Sequence, residues 1–89
     1  MKNIQYEIES EVLKALAHPL RLKLVDMLLK DDCCVTDIAN NFNMPQSTIS
    51  QNLGILKKAG ILQPYKSGVK TCYKITNHKI IEILDILRK

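Results

Sequence analysis

Between Gln46 and Asn52, six of seven consecutive side chains are short neutral amides or hydroxyls: Gln46, Ser47, Thr48, Ser50, Gln51 and Asn52. Serine, threonine and asparagine compete with backbone hydrogen bonds and ordinarily collect at caps and turns. Yet the stretch "MPQSTISQNLGILKKAGI" keeps Ile49, Leu53 and Leu56 at four- and three-residue intervals, one face of a helix. The chemistry such a fringe offers is the reading of nucleobase edges. Glutamine and asparagine pair bidentately with adenine, and hydroxyls donate or accept. Short uncharged side chains also allow close approach, and a helix N-terminus favours a nearby phosphate. The plainer alternative is a capped surface helix. Lys57 and Lys58 suit the carbonyl end of the helix dipole, and Lys57 is placed to touch a phosphate backbone.

The other reactive residues are three cysteines, Cys33, Cys34 and Cys72. The odd number, without framework spacing, predicts free thiols in a reducing compartment. Three thiolates satisfy a trigonal metalloid such as arsenite, but nothing in the sequence brings Cys72 to the other two. Cys34 opens the helix "VTDIANNF", where the dipole lowers a thiol pKa, while Asp31, Asp32 and Asp37 oppose it. Oxidation or persulfidation there would loosen the turn that follows. A small cap-region Cys34 and a strand Cys72 are the structural alternatives. His18 and His78 read as a helix-junction and a helix-start residue. No confident metal site and no cofactor follow. Without a Gly-rich phosphate loop, nucleophile elbow or paired carboxylates, and with adjacent rather than CxxC cysteines, the chain is not expected to be an enzyme.

These residues need a scaffold. The chain has 89 residues, enough for one domain (1–89) with a modest core. It is 46% hydrophobic but only 4% aromatic, so that core is aliphatic. A net charge of +4 suits a nucleic-acid partner without proving one. No apolar run approaches the ~18 residues of a membrane span, and the start lacks a signal peptide's apolar core. A cytoplasmic protein, with no membrane partner, is expected.

Ile8, Val12 and Leu16 predict a first helix within 5–17. "HP" at 18–19 breaks it, and Pro19 opens a second helix burying Leu20, Leu24, Val25, Leu28 and Leu29. "DDCC" (31–34) reads as a turn. Two short helices separated by a tight turn at Asn43 then form a helix-turn-helix over 35–58. Gly60 stops the second of them. Alternation in "VKTCYKIT" and the Ser67-Gly68 turn predict a hairpin over 61–76, a wing offering Lys66 and Lys70 to phosphates. Pro64 confines its first strand to an edge. A last helix over 77–88 carries Ile80, Ile83, Leu84 and Leu87 on one stripe and Ile81 and Ile86 off it, with Asn77 as its cap. The expected fold is mainly α (α+β), a winged helix-turn-helix of order α-α-α-α-β-β-α. Apolar side chains on more than one stripe of that last helix predict a homodimer.

At "LKALAHPLRLKLVDML", "VTDIA" and "QSTISQNLGILKKAGIL" the sequence resembles the ArsR/SmtB family of small dimeric repressors, over roughly residues 10–85. The resemblance implies a homodimer through the first and last helices that binds double-stranded DNA at an inverted-repeat operator and is released by an inducer. It places Gln46, Ser47, Ser50 and Gln51 at the family's DNA-contacting positions, with Asn52 where histidine is common. The family's metal ligands at the last helix are replaced here by Asn77 and Lys79. Its thiol site, resembling "CVCD", becomes "CCVTD", with Cys34 matched and Thr36 in place of the second cysteine. Cys33, Cys34 and Cys72 stay open as inducer-sensing candidates. The other course is a thiol-independent regulator answering another signal or a protein partner.

Overall fold

The computed structural model describes residues 3–89. In chain order the elements are α1 (Asn3–Leu16), α2 (Pro19–Lys30), β1 (Cys33–Cys34), α3 (Val35–Phe42), α4 (Gln46–Lys58), β2 (Leu62–Ser67), β3 (Lys70–Ile75) and α5 (Lys79–Leu87). This is the winged helix-turn-helix order with one addition, β1, where a turn was expected. Two residues carry no periodicity to read. Their strand state comes from antiparallel pairing with β3, Cys33 opposite Tyr73 and Cys34 opposite Cys72. The sheet order is therefore β1-β3-β2, and Pro64 sits on an edge strand, where its missing N–H costs no ladder bond.

Local backbone chemistry sets the helix ends. His18 caps α2, its Nδ1 accepting from the Leu20 N–H at 3.1 Å, and Pro19 takes the first position. Between α3 and α4, Asn43 adopts the left-handed conformation (φ 51°), and Met44 N–H bonds the Ala39 carbonyl at 3.1 Å. Gly60 (φ 78°) ends α4 in the same way, with Gly60 N–H to Lys57 O and Ile61 N–H to Leu56 O. This paired pattern satisfies the carbonyls a helix leaves open at its C-terminus. In the wing, Gly68 (φ 64°) opens a two-residue turn joining paired Ser67 and Lys70. Asn77 Oδ1 accepts from the Lys79 N–H at 3.2 Å, at the start of α5.

The core is aliphatic, as the composition requires. Leu24 and Val25 of α2, Ile38 of α3, Ile49, Leu53 and Leu56 of α4, Ile61, Leu62 and Ile80 are all fully buried. At ~1.5–3 kcal/mol for each large apolar side chain removed from water, this cluster outweighs any polar contact in the molecule. Ala39 is buried where α3 meets α4, its small side chain permitting a close crossing. Arg88, just beyond α5, donates to Asp26 of α2 at 2.9 Å.

The stripe of α5 is only partly covered. Ile80 and Leu84 are buried, but Leu87, expected on the same stripe, is 69% exposed. Ile86, Ile81 and, on α1, Ile4, Ile8 and Leu13 are also exposed. Between the two helices runs a groove of about 390 Å³ whose walls include Ile8, Val12, Leu13, Ile80 and Ile83. Among the described residues no helix is long and apolar enough to cross a membrane.

Candidate nucleic-acid interface

The helix α4 turns its apolar stripe, Ile49, Leu53 and Leu56, into the core and leaves Gln46, Ser47, Ser50 and Gln51 in water. None of its hydroxyls serves as a cap. The N-cap position is Pro45, with no side-chain hydrogen bond to the helix, and its carbonyl receives the Thr48 and Ile49 N–H groups. The capped-surface-helix alternative therefore fails to account for the serines. Nor does the first turn hold an acid to offset the positive end of the dipole, while Lys57 and Lys58 occupy the last.

The wing stands beside this face. Gln46 and Ser50 of α4, Thr36 of α3, and Val69, Lys70 and Thr71 of the hairpin border one groove of about 540 Å³. Lys70 is exposed at its rim. Lys66 is braced by a 3.0 Å hydrogen bond to Thr71 Oγ1, and Val69, at the hairpin tip, is 97% exposed. Lys57 lies eleven residues along α4 from Gln46, hence about 16 Å away, near the same helical meridian. Thr48 sits half-buried at the margin of the exposed face.

Asn52 departs from the expectation. It is half-buried, and both ends of its amide are engaged within the chain. Oδ1 accepts from Arg21 Nη1 at 3.2 Å, and Nδ2 donates to the Thr48 carbonyl at 2.8 Å. With one lone pair and one N–H of the amide so engaged, the side chain is anchored against Arg21 and its own helix rather than free to swing toward a base. The reason lies in helical spacing: Asn52 is three residues after buried Ile49 and four before buried Leu56, on the inner stripe.

Sequence reasoning passed over Gly54. It lies exposed on α4, and a Cβ built there would meet nothing within 4 Å. Glycine inside a helix costs roughly 1 kcal/mol relative to alanine, and no packing among the described residues requires it. The signal, a glycine between Leu53 and Ile55 in an otherwise unbroken helical pattern, was available.

The cysteines also differ from expectation. Three free thiols were anticipated, with Cys72 remote from the others. The register of β1 on β3 instead sets Cys34 against Cys72, joined in a disulfide across 38 residues. Cys34 thus has no thiol for the α3 dipole to activate. Cys33 is free and, adjacent on a strand, takes the opposite face. Burial pushes its thiol pKa up, away from the reactive thiolate. The three sulfurs do not converge, and among the described residues no group of three His, Cys, Asp or Glu side chains could hold a metal. The outer face of the sheet runs from Cys34 through Cys72 to Tyr65, whose hydroxyl lies 3.4 Å from Asp32 and whose ring sits under Lys74.

Comparison with known proteins converges on one group. Residues 18–63 match the family described as "Bacterial regulatory protein, arsR family". An uncharacterised HTH-type transcriptional regulator of Methanocaldococcus jannaschii is 37% identical over 84 residues, 93% of this chain and 94% of that protein. The transcriptional repressor PagR of Bacillus anthracis is 38% identical over 82 residues, 91% of this chain and 82% of that protein. Its crystal structure superimposes with a TM-score of 0.83, covering 97% of this chain and 99% of PagR. A homodimeric winged helix-turn-helix DNA-binding domain from Mycobacterium bovis, 25% identical, superimposes with a TM-score of 0.88 over 99% of this chain and 84% of that one.

Proposed function

The chain belongs to the arsR family of bacterial regulatory proteins, transcriptional repressors rather than enzymes, and on that premise we propose that it is a homodimer which binds an inverted-repeat operator. One observation carries the DNA-reading assignment: the uncapped, uncharged face of Gln46, Ser47, Ser50 and Gln51 on α4, bordered by Lys70 of the wing. In this reading the helix-turn-helix (35–58) enters the major groove, where α4's first turns meet base edges. Thr48, Lys57, Lys66 and Lys70 hold phosphates, and the wing (61–76) lies along the flanking backbone. Bare Gly54 gives the duplex room beside α4. The exposed stripes of α1 and α5, within 5–17 and 77–88, meet the same stripes of a second copy. That isologous contact buries Ile8, Leu13, Ile86 and Leu87 and places two α4 helices on successive turns of one face of the DNA.

For release by an inducer, the pairing of Cys34 with Cys72 favours a two-thiol route over a three-thiolate metalloid site. The bond joins the strand before α3 to the wing, so forming or breaking it alters how firmly the wing is held beside α4. Formation by hydrogen peroxide is balanced: two thiols lose two protons and two electrons, and the peroxide is reduced to two waters. A coupling of ~1–3 kcal/mol, typical of such switches, changes operator affinity by about 5–150-fold.

The test is a fluorescence-anisotropy titration with the protein's own upstream DNA and a scrambled duplex, at several salt concentrations. The upstream DNA should bind more tightly. Lys70→Ala should weaken both duplexes alike and reduce the salt slope by about 0.9 per lost phosphate contact. Equal affinity for both duplexes would remove the repressor assignment. Repeating the titration with peroxide and with dithiothreitol, on the parent and on Cys72→Ser, tests the thiol route. A parent insensitive to both reagents would leave the thiol-independent regulator.

A further inference from the structure

Arg21 reaches from the first turn of α2 to two other helices at once. Its Nε donates to the Ala15 carbonyl at 2.6 Å and its Nη2 to the Lys14 carbonyl at 3.4 Å, both in the last turn of α1. Its Nη1 donates to Asn52 Oδ1 on α4 at 3.2 Å. Helix ends leave their last carbonyls without intrahelical partners, and a cation suits that negative end. The planar guanidinium spreads its donors in a rigid fork, so one side chain serves α1 and α4 together, which a lysine ammonium on a flexible stem does not do as well. Asn52 completes the link by donating back to its own helix at Thr48.

The two helices so joined run side by side. Ala15 lies near Asn52 through Arg21, Glu11 shares a surface with Ile55 and Lys58, and Glu7 one with Lys58 and Ala59. Residue numbers fall along α1 as they rise along α4, so the helices are antiparallel. Ala15 and Leu16 of α1 belong to the same buried core as Leu53 and Leu56 of α4, while outside it the flanking residues (Glu7, Glu11, Ile55, Lys58) are exposed. The polar fork, at the rim of that core, is the directional contact between the two helices.

We propose that Arg21 and Asn52 form a strut that sets the angle of α4 against α1, and through it the half-site spacing that the dimer accepts. The inference rests on the dimeric repressor reading above, in which α1 meets the partner and α4 meets the DNA. Two recognition helices must then lie about 34–36 Å apart to enter successive major grooves on one face of the duplex. A device that tilts α4 relative to the dimer contact changes that separation without touching any base. Asn52 is accordingly a positioning residue, not a reader of sequence.

The experiment uses a series of operators carrying identical half-sites at the natural spacing and at one and two base pairs more or less. A second series carries single base substitutions at fixed spacing. Parent, Asn52→Ala, Arg21→Lys and the double variant are titrated on both, with dimerisation and folding checked by sedimentation and circular dichroism. The parent should favour one spacing. Either single variant should shrink that preference by about 5-fold or more, an effect of the size of ordinary inter-site coupling. The penalties for base substitutions should stay as in the parent, and the double variant should lose no more than the worse single one, because both remove one link. Altered base penalties with intact spacing preference in Asn52→Ala would overturn the proposal in favour of a base contact. Equal weakening at every spacing would overturn it in favour of a merely structural pair. A parent that binds no operator at all removes the repressor reading itself, an outcome distinct from both.

Discussion

The two uncovered faces of this molecule differ in the one property that determines what satisfies them. On the first turns of α4 the exposed side chains are Gln46, Ser47, Ser50 and Gln51, groups that water already satisfies and that lose nothing by staying in solvent. On α1 and α5 they are Ile4, Ile8, Leu13, Ile81, Ile86 and Leu87, which gain by leaving it. A polar face exchanges its waters for a hydrogen-bonding partner with little net change in free energy, and so suits selective, reversible reading. An apolar face of this extent favours a lasting partner of like character. On the proposed reading the chain divides its surface between recognition and assembly, with Arg21 joining the two.

The largest effect should come from the apolar face. Ile8→Glu places a charge where the second copy is proposed to pack, yet Ile8 is 57% exposed, so the monomer should fold. Sedimentation should show monomers, and affinity for a two-half-site operator should fall by about 100-fold or more as avidity is lost. A variant that stays dimeric would show that this stripe does not make the contact. Next comes the polar face. Gln51→Ala should lower discrimination between operator and random DNA by ~1–3 kcal/mol, the value of a good base contact. Equal loss on both duplexes would reassign Gln51 to the backbone.

Gly54→Ala sets the two demands on α4 against each other. Thermal unfolding should show a gain of about 1 kcal/mol in stability, since alanine favours helix and its methyl meets nothing in the chain. DNA binding should weaken. Binding unchanged in the stabilised variant would deny that the bare surface serves the duplex. The smallest effect concerns the Asp26–Arg88 pair, a single exposed contact at the end of α5. The hydrogen bond from Arg88 holds the Asp26 carboxyl below its usual pKa. A group depressed in the folded state stabilises above its unfolded pKa, near 3.9, and that contribution fades as pH falls through the folded value. Arg88→Ala should therefore return Asp26 toward 3.9 by NMR titration, with less than about 1 kcal/mol lost at neutral pH for so exposed a pair. A larger loss would mean that the end of α5 is held by more than packing.

Much of the fold was legible because its punctuation is local. Pro19, Asn43, Gly60 and Gly68 each occupy a backbone position that suits their residue type, at the start of α2, the ends of α3 and α4 and the hairpin turn. The buried faces of α2 and α4 followed from spacing alone. The candidate site was less legible. Gln46, Ser47, Ser50 and Gln51 lie exposed where their spacing put them, while Asn52 was grouped with them by composition, although its interval from Ile49 and Leu56 marks the inner stripe. Leu87 shared a stripe with Ile80 and Leu84, yet among the described residues nothing covers it.

The amino-acid order alone determined the helix boundaries, the hairpin and the chemistry of the face on α4, since each depends on residues within a few positions of one another. Only the tertiary structure decided that Cys34 meets Cys72 and that Asn52 meets Arg21. Those partners lie 38 and 31 residues apart. Such contacts arise from strand register and helix crossing, which the packed core fixes and no local pattern encodes.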